Sequence, residues 1–250
     1  MLISRREYEP VFLSDDGPVK DVTSTKIYCG NNNHEVPIKV PVKAGDTITF
    51  EWVFEPENLH KPGNHLDPSH KGPITVYIAP FSSNGEGDVW TKLAEDGWTN
   101  PDNDVNFEDA DDWGEWATDR LIKNDMKHDV KLPPELFPGS YLLRAEFIAL
   151  HEADTVYTDN PDRGAQFYPS CSQIEVTEGG NLKPPGNFDF KGGYTPTDPG
   201  IHFDRYEEFH SYPIPGPPVW SGGTDVSDST GVTDSTGVPD SMDVPDTKPS

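Results

Sequence analysis

A short run in the second half of the chain combines residue types that could bind a metal ion. The run is Gly164–Cys171, and within it Gln166 and Tyr168 lie two residues apart. Side chains two positions apart leave the same face of a strand, so a carboxamide and a phenol would share one polar face. His151 follows an apolar segment upstream, and His70 could add a second imidazole. These four side chains would suit a metal centre; the alternative is that they are ordinary strand and loop residues.

Two predicted strands deliver the histidines of this group. The strongest strand signal in the chain, Ser140–Leu150, ends directly before His151. Ile74–Ala79 is also predicted to be a strand, and Gly72-Pro73 fixes the backbone between that strand and His70. Both imidazoles should therefore lie at strand ends.

The rest of the sequence indicates an all-β domain with long loops. Its 26 prolines and 22 glycines, without a long helical pattern, favour short strands. Apolar and polar residues alternate in Thr47–Val53, and Asp21–Gly30 is rich in residues that favour strands. Trp113–Met126 is expected to hold a short helical turn. The Pro- and Gly-rich segment Asn181–Trp220 can persist without regular structure only if it packs along the domain.

The charge of the chain limits its partners. The formal net charge is −25 at pH 7, which has the wrong sign for binding nucleic acid or an anionic membrane surface. No window approaches the 18 or so apolar residues of a membrane span. A neutral substrate fits this charge better than an anionic partner does. The charge also favours a monomer.

The two cysteines, Cys29 and Cys171, lie near opposite ends of the predicted domain. One disulfide between a first strand and a late one would suit this arrangement, and two unpaired core thiols are the alternative. A disulfide implies an oxidising compartment, yet Met1–Tyr8 lacks the apolar core of a signal peptide.

The composition changes after residue 220. We predict a domain over residues 1–220 and a disordered tail over residues 221–250, where Asp, Ser, Thr, Gly, Val and Pro dominate and cannot bury a core.

Five blocks of the sequence resemble the fungal lytic polysaccharide monooxygenases of auxiliary activity family 9, formerly glycoside hydrolase family 61. The match runs in family order from about Asp21 to Trp220. The blocks are Ser69–Pro73, Pro138–His151, Gly164–Tyr168 with Cys171 three residues on, Thr195–Ile201 and Tyr212–Pro218.

The resemblance implies an immunoglobulin-like, antiparallel β-sandwich that acts oxidatively on cellulose or a related β-1,4-glucan, using one copper ion and an external electron donor. It implies that His70 is a copper ligand and that Tyr168 occupies the axial position. His151 and Gln166 would be catalytic residues that hydrogen-bond the oxygen species. A disulfide between Cys29 and Cys171 is also implied.

Two tyrosines of the late segment, Tyr206 and Tyr212, resemble the tyrosines with which the family binds its substrate. They would stack on glucose rings at low entropic cost, because the ring is rigid. The alternative is that they pack the late segment onto the sandwich.

The start of the chain departs from the family pattern. In the family the first mature residue is a histidine whose amine and imidazole both bind copper, whereas this sequence begins with Met1. One explanation is an incomplete gene model that lacks the signal peptide of a secreted protein, the histidine and the opening strand. Another is a shortened relative that binds polysaccharide without oxidising it. In either case the chain as written is expected to bind copper weakly and to release no oxidised oligosaccharides from cellulose. A third is that His60 or His65 substitutes as a ligand.

Overall fold

The structure is a computed structural model that describes residues 2–4, 17–30, 37–52, 66–100 and 114–222. It contains three short helices, namely α1 (Lys26–Cys29), α2 (Ala117–Lys123) and α3 (Phe190–Gly193). Its strands are β1 (Leu2–Ser4), β2 (Val40–Lys43), β3 (Thr47–Glu51), β4 (Ile74–Pro80), β5 (Thr91–Asp96), β6 (Lys127–Lys131), β7 (Gly139–Ala149) and β8 (Gln166–Glu178). Within these ranges, no helix has the length and apolar character that crossing a membrane requires.

The strands form two sheets that pack as a β-sandwich. The smaller sheet has the order β1-β3-β6, and the larger has the order β2-β8-β7-β4-β5. Neighbouring strands are antiparallel except β2 and β8, which are parallel. The predicted all-β sandwich is therefore confirmed.

The sandwich core lies between the sheets and explains the alternation in β3. Ile48 and Phe50 of β3 are buried against Ala145 and Phe147 of β7 and other residues of the larger sheet. Thr47, Thr49 and Glu51, which alternate with Ile48 and Phe50, are exposed or half-buried, as the period-two pattern predicts.

A second core covers the outer face of the larger sheet. Phe188, Phe190, Tyr194 and Ile201, from the Pro- and Gly-rich late segment, pack there with β4, β7 and β8. The late segment thus packs along the domain, as predicted. Because both faces of β7 are covered, its sequence is a near-continuous buried run.

An ion pair is buried inside the second core. Arg144 and Glu146 of β7 have no exposed side-chain area, and Arg144 Nη2 donates to Glu146 Oε2 at 2.6 Å. Arg144 also donates to the carbonyl oxygens of Tyr28 at 2.7 Å and Ile27 at 2.8 Å. These bonds offset part of the cost of desolvating the pair and tie α1 to β7, while Arg144 Nη1 has no hydrogen-bond partner among the described residues.

The strand-favouring segment Asp21–Gly30 does not form a strand, so this prediction is wrong. The Asp21 carboxylate accepts a hydrogen bond from the Thr23 backbone N–H, which turns the chain, and α1 follows. Gly30 ends the helix with φ of +82°. Tertiary burial of three successive residues of α1 outweighs their strand propensity.

The Cys29–Cys171 disulfide is present, with 5.1 Å between the Cα atoms, and joins α1 to the middle of β8. The alternative of two free thiols is excluded.

Removing the disulfide should destabilise the fold. The bridge joins residues 142 apart, so the change Cys29→Ala with Cys171→Ala is expected to lower the free energy of unfolding by about 3 to 5 kcal/mol. Urea denaturation of the double variant measures this loss, and the wild type with reductant is the matched control. A loss below about 1 kcal/mol would show that the bridge does not hold the domain together.

Candidate metal centre

The register between β7 and β8 brings three site residues to one edge of the larger sheet. Ala149 pairs with Gln166, and Phe147 pairs with Tyr168, so β7 ends two residues before His151. Gln166 and Tyr168 share a face, as predicted. The Tyr168 ring stacks on the Phe147 ring, with centroids 4.4 Å apart and planes 16° apart.

His70 reaches the same edge because its loop is bonded to the end of β7. The backbone N–H of Leu150 donates to the Lys71 carbonyl at 2.9 Å, and that of Ile148 donates to the Pro73 carbonyl at 3.1 Å. Between these bonds, a Cβ on Gly72 would lie 1.7 Å from the Ile148 carbonyl oxygen. Only glycine allows this close approach, which sets the position of His70.

The four predicted site residues are in contact. The rings of His70 and His151 have centroids 4.5 Å apart, and His70 Nε2 lies 3.3 Å from the Tyr168 hydroxyl oxygen. The Tyr168 hydroxyl lies 2.9 Å from Gln166 Oε1, to which it donates. Gln166 Nε2 lies 3.3 Å from His151 Nε2.

Two further residues, Glu152 and Lys20, complete this network, and the sequence analysis did not single them out. Gln166 Nε2 donates to Glu152 Oε2 at 2.8 Å, and Lys20 Nζ donates to the same oxygen at 3.1 Å. Glu152 could have been noticed as the neighbour of His151. Lys20 carries no local signal, because its partner lies 132 positions away.

The environment favours the neutral form of both imidazoles. Burial lowers the pKa of His70 below its ordinary value of 6.5, although the Asp67 carboxylate opposes this. Burial and the nearby His70 lower the pKa of His151 as well. Burial opposes ionisation of Glu152, but hydrogen bonds from Lys20 and Gln166 outweigh it and lower the pKa of that carboxyl.

The donor set fits copper in chemical type. His70 Nε2 lies beside the phenol oxygen of Tyr168, whose O–H points to Gln166. When His70 is protonated at Nδ1, a lone pair of His70 Nε2 and a lone pair of the Tyr168 oxygen face the same point, where a copper ion could bind. Within the described ranges, no group of three or more His, Cys, Asp or Glu residues could hold a metal. The described part of the chain thus contributes His70 Nε2 and Tyr168 Oη, and His60 and His65 lie outside it.

The two tyrosines of the late segment are placed differently. Tyr206 is 51% exposed, and its hydroxyl donates to the His151 carbonyl oxygen at 3.1 Å. The Tyr212 ring packs edge-on against Trp116 and Phe203, with centroids 4.9 and 5.0 Å away. Its hydroxyl donates to the Gly200 carbonyl at 2.6 Å, and burial raises its pKa well above the ordinary value. Tyr206 is thus half-exposed, with the Arg205 guanidinium carbon 4.7 Å from its ring centroid, whereas Tyr212 packs the late segment.

Comparisons with known proteins show the family to which this β-sandwich belongs. The sequence profile of "Auxiliary Activity family 9 (formerly GH61)" matches residues 7–212. The chain is 46% identical over 208 residues to "AA9 family lytic polysaccharide monooxygenase A" of Collariella virescens, covering 81% of the chain and 70% of the relative. It is 43% identical over 212 residues to the protein of the same name from Aspergillus flavus, covering 85% of the chain and 52% of that relative.

A solved structure agrees with the sequence matches. The chain superimposes on "CvAA9A" with a TM-score of 0.73 and 45% sequence identity, covering 84% of this chain and 88% of that one. This chain belongs to Auxiliary Activity family 9. It spans about half the length of several of its curated relatives.

Adding one methyl group at Gly72 should disrupt the site. Gly72→Ala is expected to lower the free energy of unfolding by more than about 2 kcal/mol, because the Ile148 carbonyl must move. Gly87→Ala is the control, since nothing lies within 4 Å of its Cβ position and only its φ of +83° is strained, a cost of about 1 kcal/mol. Equal stability of the two variants in chemical denaturation would contradict the close approach.

The two imidazoles should titrate below pH 6.5 in the metal-free protein. A folded pKa below the unfolded value contributes stability above pH 6.5 that is lost as the pH falls through the folded pKa values. NMR titration of the ring protons measures both midpoints, with His70→Asn and His151→Asn variants to assign the signals. A midpoint at or above 6.5 for either ring would contradict the described burial.

Proposed function

We propose that this chain is a lytic polysaccharide monooxygenase domain that cleaves cellulose or a related β-1,4-glucan oxidatively with one copper ion. The observation that carries the proposal is the pairing of His70 Nε2 with the Tyr168 hydroxyl, 3.3 Å apart, in a member of this family. Relatives named as lytic polysaccharide monooxygenases support the reaction class.

His70 would hold copper through Nε2, and Tyr168 would lie beside it. The copper ion would supply the one-electron chemistry that activates oxygen or peroxide. The Tyr168 O–H donates a hydrogen bond to Gln166, so Tyr168 would offer copper a phenol oxygen, which is a weak ligand. His151 and Gln166 would orient the reacting oxygen species by hydrogen bonds.

The substrate would lie over the site edge, where Tyr206 is exposed beside His151. An uncharged glucan suits a chain of net charge −25, because no anionic partner has to approach it. The remaining requirement is an external electron donor.

The disulfide is consistent with secretion into an oxidising compartment, and we propose a monomer over residues 1–220. Most of the predicted tail, residues 221–250, lies outside the described residues.

A second candidate is a polysaccharide-binding protein without oxidative activity. It is favoured by one observation: the described residues place a single imidazole nitrogen, His70 Nε2, against the Tyr168 phenol. Tight copper binding needs further nitrogen donors.

The test of function uses the chain with a histidine placed as its mature first residue, together with copper, cellulose and a reductant. The proposal predicts soluble oxidised oligosaccharides, detected by mass spectrometry, and at least about tenfold weaker copper binding for His70→Ala. Tyr168→Phe should retain copper but change its electron paramagnetic resonance spectrum. His210→Ala is the matched control, since that side chain is 82% exposed. Binding to cellulose without oxidised products would overturn the enzyme in favour of the second candidate.

The two tyrosines should respond differently to truncation. Tyr206→Ala is expected to weaken cellulose binding at nearly unchanged stability, because the ring is exposed. Tyr212→Ala should cost about 3 kcal/mol of stability through the lost packing on Trp116 and Phe203. Pull-down on cellulose and thermal unfolding measure these effects. Strong destabilisation by Tyr206→Ala would contradict its placement.

A further inference from the structure

We propose that Lys20 and Glu152 are positioning residues that fix the direction of the Gln166 carboxamide. This inference deepens the proposed function, on which the catalytic importance of Gln166 rests. Its structural content concerns the protein's own hydrogen bonds and can be tested without copper.

The carboxamide has one orientation that satisfies its neighbours. With Nε2 toward Glu152, the amide donates to a carboxylate at 2.8 Å and its oxygen accepts from Tyr168 at 2.9 Å. If the amide were reversed, its oxygen would face the Glu152 carboxylate, which has no proton to donate when ionised. Two acceptors at that distance repel each other, so ionised Glu152 determines the orientation.

Lys20 holds Glu152 in place. Its ammonium group donates to Glu152 Oε2 at 3.1 Å and to the Asp162 carbonyl oxygen at 2.8 Å. The side chains of Lys20 and Glu152 are only 18% and 28% exposed. Lys20 therefore ties the segment before α1 to two points of the loop between β7 and β8.

The backbone places Lys20 beside the site. Val19 and Phe167 exchange two backbone hydrogen bonds of 2.8 Å, and Phe167 is the residue after Gln166. This bridge secures the segment that carries Lys20 directly against the start of β8.

The orientation of Gln166 determines how its other two partners hydrogen-bond. Its oxygen accepts the Tyr168 O–H, which leaves a phenol lone pair toward His70 Nε2. Its nitrogen lies 3.3 Å from His151 Nε2, which can accept from it only if the His151 proton is on Nδ1. Nδ1 is buried without a hydrogen-bond partner among the described residues, so the proposal requires the Gln166 contact to outweigh that cost. A reversed carboxamide would accept from His151 Nε2 and would place the proton there instead. The tautomer of His151 thus reports the direction of the Gln166 amide.

The experiment measures that tautomer in the metal-free protein. Histidine labelled with ¹⁵N gives a long-range ¹H–¹⁵N spectrum in which the two ring nitrogens of His151 are distinguished, and His151→Asn assigns them. At a pH above 6.5 we expect the Nδ1–H form in the wild type. Glu152→Gln can pair with the amide in either orientation and should raise the ratio of Nε2–H to Nδ1–H about tenfold or more.

The tautomer ratio of His151 is also measured in two Lys20 variants and in one control variant. Lys20→Met should raise the Nε2–H share by a smaller factor, and Lys20→Arg should restore the wild-type ratio, because the charge is kept. Glu178→Gln makes the same chemical change in an exposed pair with Lys43 at the far end of β8, and should change nothing. If Glu152→Gln fails to fold, Glu152→Ala removes the acceptor and provides the same comparison.

Two outcomes overturn the proposal: an Nε2–H tautomer of His151 in the wild type, or an unchanged tautomer in the folded Glu152 variant. An unchanged tautomer in Lys20→Met overturns the part assigned to Lys20. Because the readout needs neither copper nor substrate, a shifted tautomer in a chain without oxidised products would reject the proposed function and retain the positioning role.

Discussion

The antiparallel register of β7 and β8 is the constraint on which the site depends. Eleven residue pairs, from Gly139–Val176 to Ala149–Gln166, join the two strands. Because side chains alternate between the faces, a slip of one residue would turn Gln166 and Tyr168 into the second core. The same register brings the residue after Leu150, His151, to their edge. The site is therefore a consequence of strand pairing.

Burial on both faces keeps this register fixed. The sandwich core lies on one face of the larger sheet and the late segment covers the other. The buried Arg144–Glu146 pair and the Cys29–Cys171 bridge both connect α1 to the central strands. Rigid elements position functional groups more accurately than loops do. His70 lies on a loop, but backbone hydrogen bonds to the end of β7 and the close approach of Gly72 to that strand hold the loop in place.

The sequence predicted those parts of the fold that local patterns encode. The alternation in β3, the long apolar run of β7 and the shared face of Gln166 and Tyr168 were predictable, since they follow from the period of a strand. Helix α1 was not predictable from the local sequence, because its conformation depends on tertiary burial. β6 was also missed: it is an edge strand in which only Val130 is buried, so it lacks an alternating pattern.

The network behind Gln166 could not be predicted for a different reason. Lys20 and Glu152 are ordinary charged residues, and only the folded chain places them in contact across 132 positions. The same limit applies to Tyr206 and Tyr212, which look alike in sequence but differ in burial.

Anomalous X-ray diffraction at the copper absorption edge, from crystals of the copper-loaded chain, locates the bound copper ion. We expect one strong anomalous peak at His70 Nε2, next to the Tyr168 hydroxyl. A copper-saturated crystal with no peak at that position, or with its main peak at other histidines such as His202 and His210, would contradict it.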